Sequence, residues 1–236
     1  MLHGTPMAAS GLMRLARQAT GLPSRLAWQR ISAIYFSMGR LAIQGYGAVG
    51  RHAARFLAEK GARLVAVADS RGPALYPEGF DLSRLDALKA EGRPVTDYPG
   101  AKAADRDLVI VANCDILVPA ARPDVIDKSN AGEIRAKLVV EGANIPATAE
   151  AEAVLHDRGI LVVPDFMANA GGMICAAVEY RGGTEVQAMT TIADKTHHNT
   201  LEVLMQDREH GISPHDVANA LAEARLREAM ALQRKF

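Results

Sequence analysis

Short apolar runs alternate along this chain with longer segments in helical spacing, and the two periods sort the sequence into strands and helices. Arg40-Leu-Ala-Ile-Gln44 is a brief apolar run, followed by a helix-like stretch to Lys60 and a stop at Gly61. Arg63-Leu-Val-Ala-Val-Ala-Asp69 predicts a second strand, and Asp81 to Leu88 a helix that Gly92 and Pro94 end. The runs 107–112, 115–118, 137–140 and 160–163 each predict a further buried strand. Between the last two, Thr148 is placed to cap a helix from Ala149, with Glu150 and Glu152 near its positive end and Gly159 stopping it. Helical spacing resumes near Thr184, and the last helix carries Ser213 as cap, Pro214 at its first position and Asp216 three residues after the cap. Nearly continuous Val/Ile/Leu runs suit strands covered on both faces. The alternation predicts an α/β fold: a doubly wound, mostly parallel sheet with extra C-terminal helices.

Residues 1–39 read as an N-terminal helix and linker ahead of one α/β domain over 40–236. The helix spans Ala8 to Ala19, Gly21 and Pro23 break the linker, and an apolar stretch from Leu26 to Met38 carries Trp28, Tyr35 and Phe36. So much aromatic surface is expected to pack against something. From Met1 to Arg40 there is no Asp or Glu, and five arginines supply positive charge. That composition also fits a mitochondrial transit peptide. The helix and docking segment is the favoured reading, which places the chain in the cytoplasm ahead of the mitochondrial matrix.

Charge narrows the partners. Lys plus Arg and Asp plus Glu number 27 each, which gives no sign of a nucleic-acid partner. No apolar run is long enough to span a bilayer, so no membrane partner is expected. Cys114 and Cys175 form no C-x-x-C pair, and a reduced setting is expected for both. Each thiol reads as a small buried hydrophobe. His197 and His198 are adjacent and point in different directions on a helix, and His210 and His215 straddle a turn. Neither a metal site nor a covalent nucleophile is expected.

The sharpest chemistry lies after the first strand, where Gln44 runs into Gly45-Tyr46-Gly47-Ala48-Val49-Gly50. In such a G-x-G-x-x-G turn Gly45 permits the tight bend, Gly47 lets the backbone approach a pyrophosphate, and Gly50 lets helix and strand pack closely. Phosphates would sit on the N–H groups and positive end of the helix beginning near Val49. Asp69 closes the second strand, where a carboxylate can bind adenosine ribose hydroxyls. Strand, glycine turn, helix, second strand and terminal acid together predict a Rossmann-type dinucleotide site. Asp69 repels a 2′-phosphate and favours NAD, while Ser70 and Arg71 beside it could hold that phosphate and admit NADP.

Two more loops leave strand ends where such sheets place their ligands: Glu141-Gly-Ala-Asn144 and Asp165-Phe-Met-Ala-Asn169-Ala-Gly-Gly172. An Asn carries both a donor and an acceptor, as a nicotinamide carboxamide does, and can recognise that group in one orientation. Asn and Gly also serve turns, and the chemistry alone leaves both readings standing.

Four segments in order resemble one known family: Ala42-Ile-Gln-Gly-Tyr-Gly-Ala-Val-Gly50, Asn113-Cys-Asp-Ile-Leu-Val-Pro-Ala-Ala121, Val140-Glu-Gly-Ala-Asn144 and Pro164-Asp-Phe-Met-Ala-Asn-Ala-Gly-Gly172. They are similar to the C-terminal domain of the glutamate/leucine/phenylalanine/valine dehydrogenases, above all the glutamate type, from about Arg40 to the C-terminus. The resemblance implies oxidative deamination of an L-amino acid to a 2-oxo acid and ammonia, with hydride passed to NAD or NADP. It also implies that the Gly45–Gly50 turn holds the pyrophosphate, that Asp69 holds the adenosine ribose, and that Asn113, Asn144 and Asn169 line the nicotinamide side.

The departures matter as much. In that family a separate N-terminal domain binds the amino acid and supplies a lysine in a Gly-Gly-x-Lys setting, a second lysine and an aspartate. Here Gly171-Gly172 is followed by Met-Ile and Gly182-Gly183 by Thr-Glu, so no catalytic residue is assigned. Where glutamate enzymes often carry a serine for the distal carboxylate, this chain reads Met173-Ile-Cys-Ala-Ala177, which puts glutamate specificity in question. The stretch from Thr20 to Gly39 is also longer than the family's usual linker. Two functions fit. One is an amino-acid dehydrogenase whose substrate domain lies on another chain or is missing from this sequence. The other is a dinucleotide-binding module without chemistry of its own, or a decayed remnant. Family members assemble largely through the absent domain, so a monomer is compatible with either.

Overall fold

The computed structural model describes residues 39–105 and 107–233. The helix expected over 8–19 and the apolar stretch over 26–38 lie outside them. Seven strands form one sheet in the order β4-β3-β2-β1-β5-β6-β7. They are β1 (Arg40–Gln44), β2 (Arg63–Asp69), β3 (Gly72–Leu75), β4 (Lys102–Ala103), β5 (Ile116–Pro119), β6 (Leu138–Val140) and β7 (Leu161–Val163). Strands β2, β1, β5, β6 and β7 run parallel, and β3 and β4 add antiparallel at one edge.

Among the described residues seven α-helices follow in chain order: α1 (Ala48–Ala58), α2 (Leu82–Ala90), α3 (Ala149–Asp157), α4 (Asp165–Ala168), α5 (Gly171–Tyr180), α6 (Glu185–His210) and α7 (Pro214–Gln233). Their starts obey capping chemistry. The Asp81 carboxylate accepts from the N–H groups of Ser83 and Arg84, and Thr148 Oγ1 accepts from Ala151 N. Thr184 and Gln187 form a reciprocal capping box, and Ser213 Oγ accepts from Asp216 N at 3.2 Å. Gly211 stops α6 at φ +65°, a left-handed conformation that suits glycine.

The strand period of two splits the apolar residues into two cores. Leu41, Ile43 and Val67 face one way and pack with Leu57 of α1, Leu85 of α2, Val203 of α6 and Val217 of α7. Ala42, Ala66 and Leu117 face the other way, with Ile126, Ile134 and Leu155 of α3. Both faces are covered, as continuous apolar strands require.

Two features depart from expectation. Residues 107–112 form no strand: Leu108 N donates to Asp105 O and Ile110 N to Asp107 O, both at 3.0 Å, in consecutive turns. Val109 and Ile110 are buried all the same, because burial rewards their side chains without requiring extended backbone. Strands β3 and β4 belong to the opposite case. Too short for a periodic signal, they form because Ser70 and Arg71 turn the chain back so that Gly72 pairs with Asp69.

The chain leaves β1 toward β2 on one side and returns to β5 on the other. That reversal opens a crevice beyond the carboxyl ends of β1 and β5.

Candidate functional site

The crevice begins at the glycine turn. Gly45 sits at φ +104°, and a Cβ there would lie 2.6 Å from Ala121 Cβ. The N–H groups of Gly45 and Tyr46 both donate to Ala68 O, at 3.0 and 2.8 Å, which fastens the turn to β2. A Cβ on Gly50 would lie 2.0 Å from Gly45 O, so helix and strand touch there. Around Gly47 the situation reverses: an added Cβ meets nothing within 4 Å. Gly47 is also the N-cap of α1 and brings no capping side chain. The first N–H groups of the helix, those of Ala48 and Val49 among them, therefore lack a side-chain acceptor at the cap, which is how a helix start receives an anion.

Tyr46 is anchored away from this opening. Its ring is buried, and its hydroxyl donates to Asp86 Oδ1 at 3.3 Å. Arg51 and Arg55 of α1 clamp the same carboxylate at 3.0 and 2.7 Å. Burial and then Asp86 raise the Tyr46 pKa, so the phenol keeps its proton.

A cleft of about 550 Å³ runs from Gly45–Gly47 to Asp69 and Ser70 on one side and to Ala120, Ala121 and Arg122 on the other. Asp69 lies where the sequence puts it, but its oxygens are engaged. Oδ2 accepts from Lys89 Nζ at 2.7 Å and from Val95 N at 3.0 Å, and Oδ1 accepts from Arg71 N at 2.9 Å. Burial raises its pKa, but Lys89 and the two backbone N–H groups outweigh that and hold the carboxyl below its ordinary range. Lys89 itself lines the cleft. Sequence reasoning missed it, because a lysine near the end of an exposed helix carries no signal of a partner twenty residues earlier.

On the far side, Pro119 O at the end of β5 accepts from both Gly142 N and Ala143 N at 2.9 Å. This contact carries the loop after β6 up to the cleft wall. There Asn144 and Asn169 meet: Asn169 Nδ2 lies 3.2 Å from Asn144 Oδ1 and 3.2 Å from Ala143 O. Residues 165–172, expected as a loop, are largely helical, with α4 starting at once and α5 beginning at Gly171.

Asn113 is not part of this group. It is exposed, and it precedes β5 at the amino ends of the strands, where Asp115 Oδ2 accepts from Arg40 N at the start of β1. Its place in a motif that ends at the cleft concealed that a strand's length separates the two ends. Cys114 beside it is buried, and burial pushes its thiol up to about 12, which leaves it unreactive.

Known proteins resemble this chain in sequence and in fold. The family model of Glutamate/Leucine/Phenylalanine/Valine dehydrogenase matches residues 11–234. The NADP-specific glutamate dehydrogenase of Saccharolobus shibatae is 38% identical over 201 residues, which are 81% of this chain and 47% of that protein. The glutamate dehydrogenase of Aeropyrum pernix is 40% identical over 205 residues, 82% of this chain and 49% of that protein. Among solved structures, the hetero-hexameric glutamate dehydrogenase of Thermus thermophilus superposes with a TM-score of 0.75 at 29% identity, covering 98% of this chain and 54% of that one. The L-tryptophan dehydrogenase of Nostoc punctiforme shares the fold, with a TM-score of 0.70 at 21% identity, over 98% of this chain and 63% of that one. The chain spans about half the length of the curated relatives it matches. From the match over nearly its whole length, the chain belongs to the glutamate/leucine/phenylalanine/valine dehydrogenase family.

Proposed function

We propose that this chain is the cofactor-binding half of an NAD(P)-dependent amino-acid dehydrogenase of the glutamate dehydrogenase type. The observation that carries this reading is the open space at Gly47, set between two glycines that leave no room for a Cβ. Such a cradle fits a dinucleotide pyrophosphate. Gly45, Tyr46, Gly47, Ala48, Val49 and Gly50 would hold it by backbone, Asp69 and Ser70 would meet the adenosine ribose, and Asn144 and Asn169 would orient the carboxamide. A bound nicotinamide would supply the acceptor for hydride from the amino-acid Cα, in the oxidation that leads to a 2-oxo acid and ammonia. The base for the amine would come from the family's substrate-binding domain, which packs against this half. Exposed Met173 and Tyr180 of α5 and Val186 of α6, at 78%, 93% and 74% exposure, support such a partner by offering apolar surface for it to cover. A fluorescence titration with NADH and NADPH tests the reading: saturable binding is expected, and a folded chain that binds neither refutes it.

Asp69 is already neutralised by Lys89, so a 2′-phosphate would meet a cation there as well as an acid. Lys89→Ala is expected to weaken NADPH about tenfold more than NADH, the loss of roughly one charge-assisted contact. Equal weakening of both nucleotides would assign Lys89 to the fold alone. A module that binds the dinucleotide without chemistry of its own is the second reading. Hydride transfer on mixing with a family substrate domain separates the two.

A further inference from the structure

We infer that Glu141 is a positioning residue for the nicotinamide end of the candidate site: it fastens the loop after β7 to the end of β6 and so fixes the facing Asn144 and Asn169 side chains. The inference rests on the dinucleotide reading above. Glu141 follows β6 directly and is 2% exposed. Its Oε2 accepts from Asp165 N at 3.0 Å, while Oε1 is buried with no hydrogen-bond partner among the described residues. An apolar residue of similar size would fill the same volume but leave the Asp165 N–H buried without an acceptor.

Asp165 distributes that single bond to the rest of the site. Its Oδ2 accepts from Ile145 N at 2.7 Å, and its backbone O accepts from Asn169 N at 2.6 Å. Ile145 stands at φ +47°, a conformation that a β-branched residue adopts only when its surroundings impose it. Its carbonyl accepts from the N–H of Asp124, itself at φ +51°. The turn presenting Asn144 is thus held under strain by Asp165, and Asp165 is held by Glu141.

The clamp is also sensitive to a proton. Burial first, and then the Glu152 carboxylate, push Glu141 up to about 8, so it is largely neutral at pH 7. The groups facing it are Glu152 of α3 and Asp165 of α4. Behind Glu152 stand Asp216 and His215 of α7, with His215 Nδ1 3.1 Å from Glu152 Oε2. On ionisation Glu141 is repelled chiefly by Glu152, while the Asp165 N–H donates to a full carboxylate and the clamp tightens.

ADP-ribose separates positioning from general damage, because it contains the whole adenosine and pyrophosphate part of NADH without the nicotinamide. Glu141→Leu is expected to raise the NADH Kd about tenfold while leaving the ADP-ribose Kd within about twofold. Glu141→Gln keeps an acceptor for Asp165 N and is expected to retain NADH affinity. In the wild-type chain NADH affinity, but not ADP-ribose affinity, is expected to rise as pH rises through about 8 and Glu141 ionises, and Glu141→Gln abolishes that rise. This pH comparison decides the matter even where the Leu variant does not fold. Equal loss of both ligands in Glu141→Leu, or matching pH profiles for NADH and ADP-ribose in the wild type, overturns the inference. Wild-type protein that binds neither ligand overturns the dinucleotide reading and this one with it.

Discussion

A chain carrying Gly47→Val is expected to melt within a few degrees of the wild type and to show no saturable response to NADH or NADPH. The backbone at Gly47 has φ −92° and ψ −157°, an extended conformation that a β-branched residue adopts without strain. Within the fold the new Cβ meets nothing within 4 Å. The isopropyl group instead occupies the mouth of α1, where a pyrophosphate must come close to the backbone N–H groups. Losing that approach removes several charge-assisted hydrogen bonds, and a loss of at least about hundredfold in affinity, near 2.8 kcal/mol, is expected. Wild-type affinity in this variant would place the dinucleotide elsewhere.

Gly50→Ala, three residues on and chemically milder, is expected to do the opposite. Its methyl would sit 2.0 Å from Gly45 O and 2.9 Å from Ile43 Cγ2, with backbone rather than a flexible side chain as the first obstacle. Relief requires α1 to move off β1, which opens the core around Ile43 and Ala54. A destabilisation of about 3–5 kcal/mol is expected, or roughly 6–20 °C in melting temperature for a domain of this size. Thermal unfolding followed by circular dichroism measures it. An unchanged midpoint would show that the glycine turn recoils freely, and the close helix–strand contact would then lose its role.

The β1–α1–β2 unit and the helix starts were legible in the sequence because their signals are local. A glycine turn between an apolar run and a helix is written in consecutive residues, and so are Asp81, Thr148, Thr184 and Ser213 at their caps. What escaped depends on partners distant in the chain. Residues 107–112 carry a strand's composition, but only the other elements decide whether the sheet offers their backbone a place. Asn113 was misplaced because a motif gives sequence distance and a strand converts it into separation between its opposite ends. The Asp69–Lys89 pair spans 20 residues and the Glu141–Asp165 bond 24, and neither spacing follows a helical or strand period. Chemistry alone leaves Asn144 and Asn169 between a ligand role and a turn role, and the structure adds that they touch.

The position of β1 at the centre of the sheet has an evolutionary consequence. On the proposed reading, the groups for the adenosine hang from β2 and α2 and those for the reacting ring from the loops after β6 and β7, with β1 and β5 between them. Three strand spacings separate β2 from β6, about 14 Å. At that distance substitutions combine nearly additively. Such an arrangement lets a lineage exchange one nucleotide for the other, or retune the reacting end, each by mutations that leave the other trait untouched.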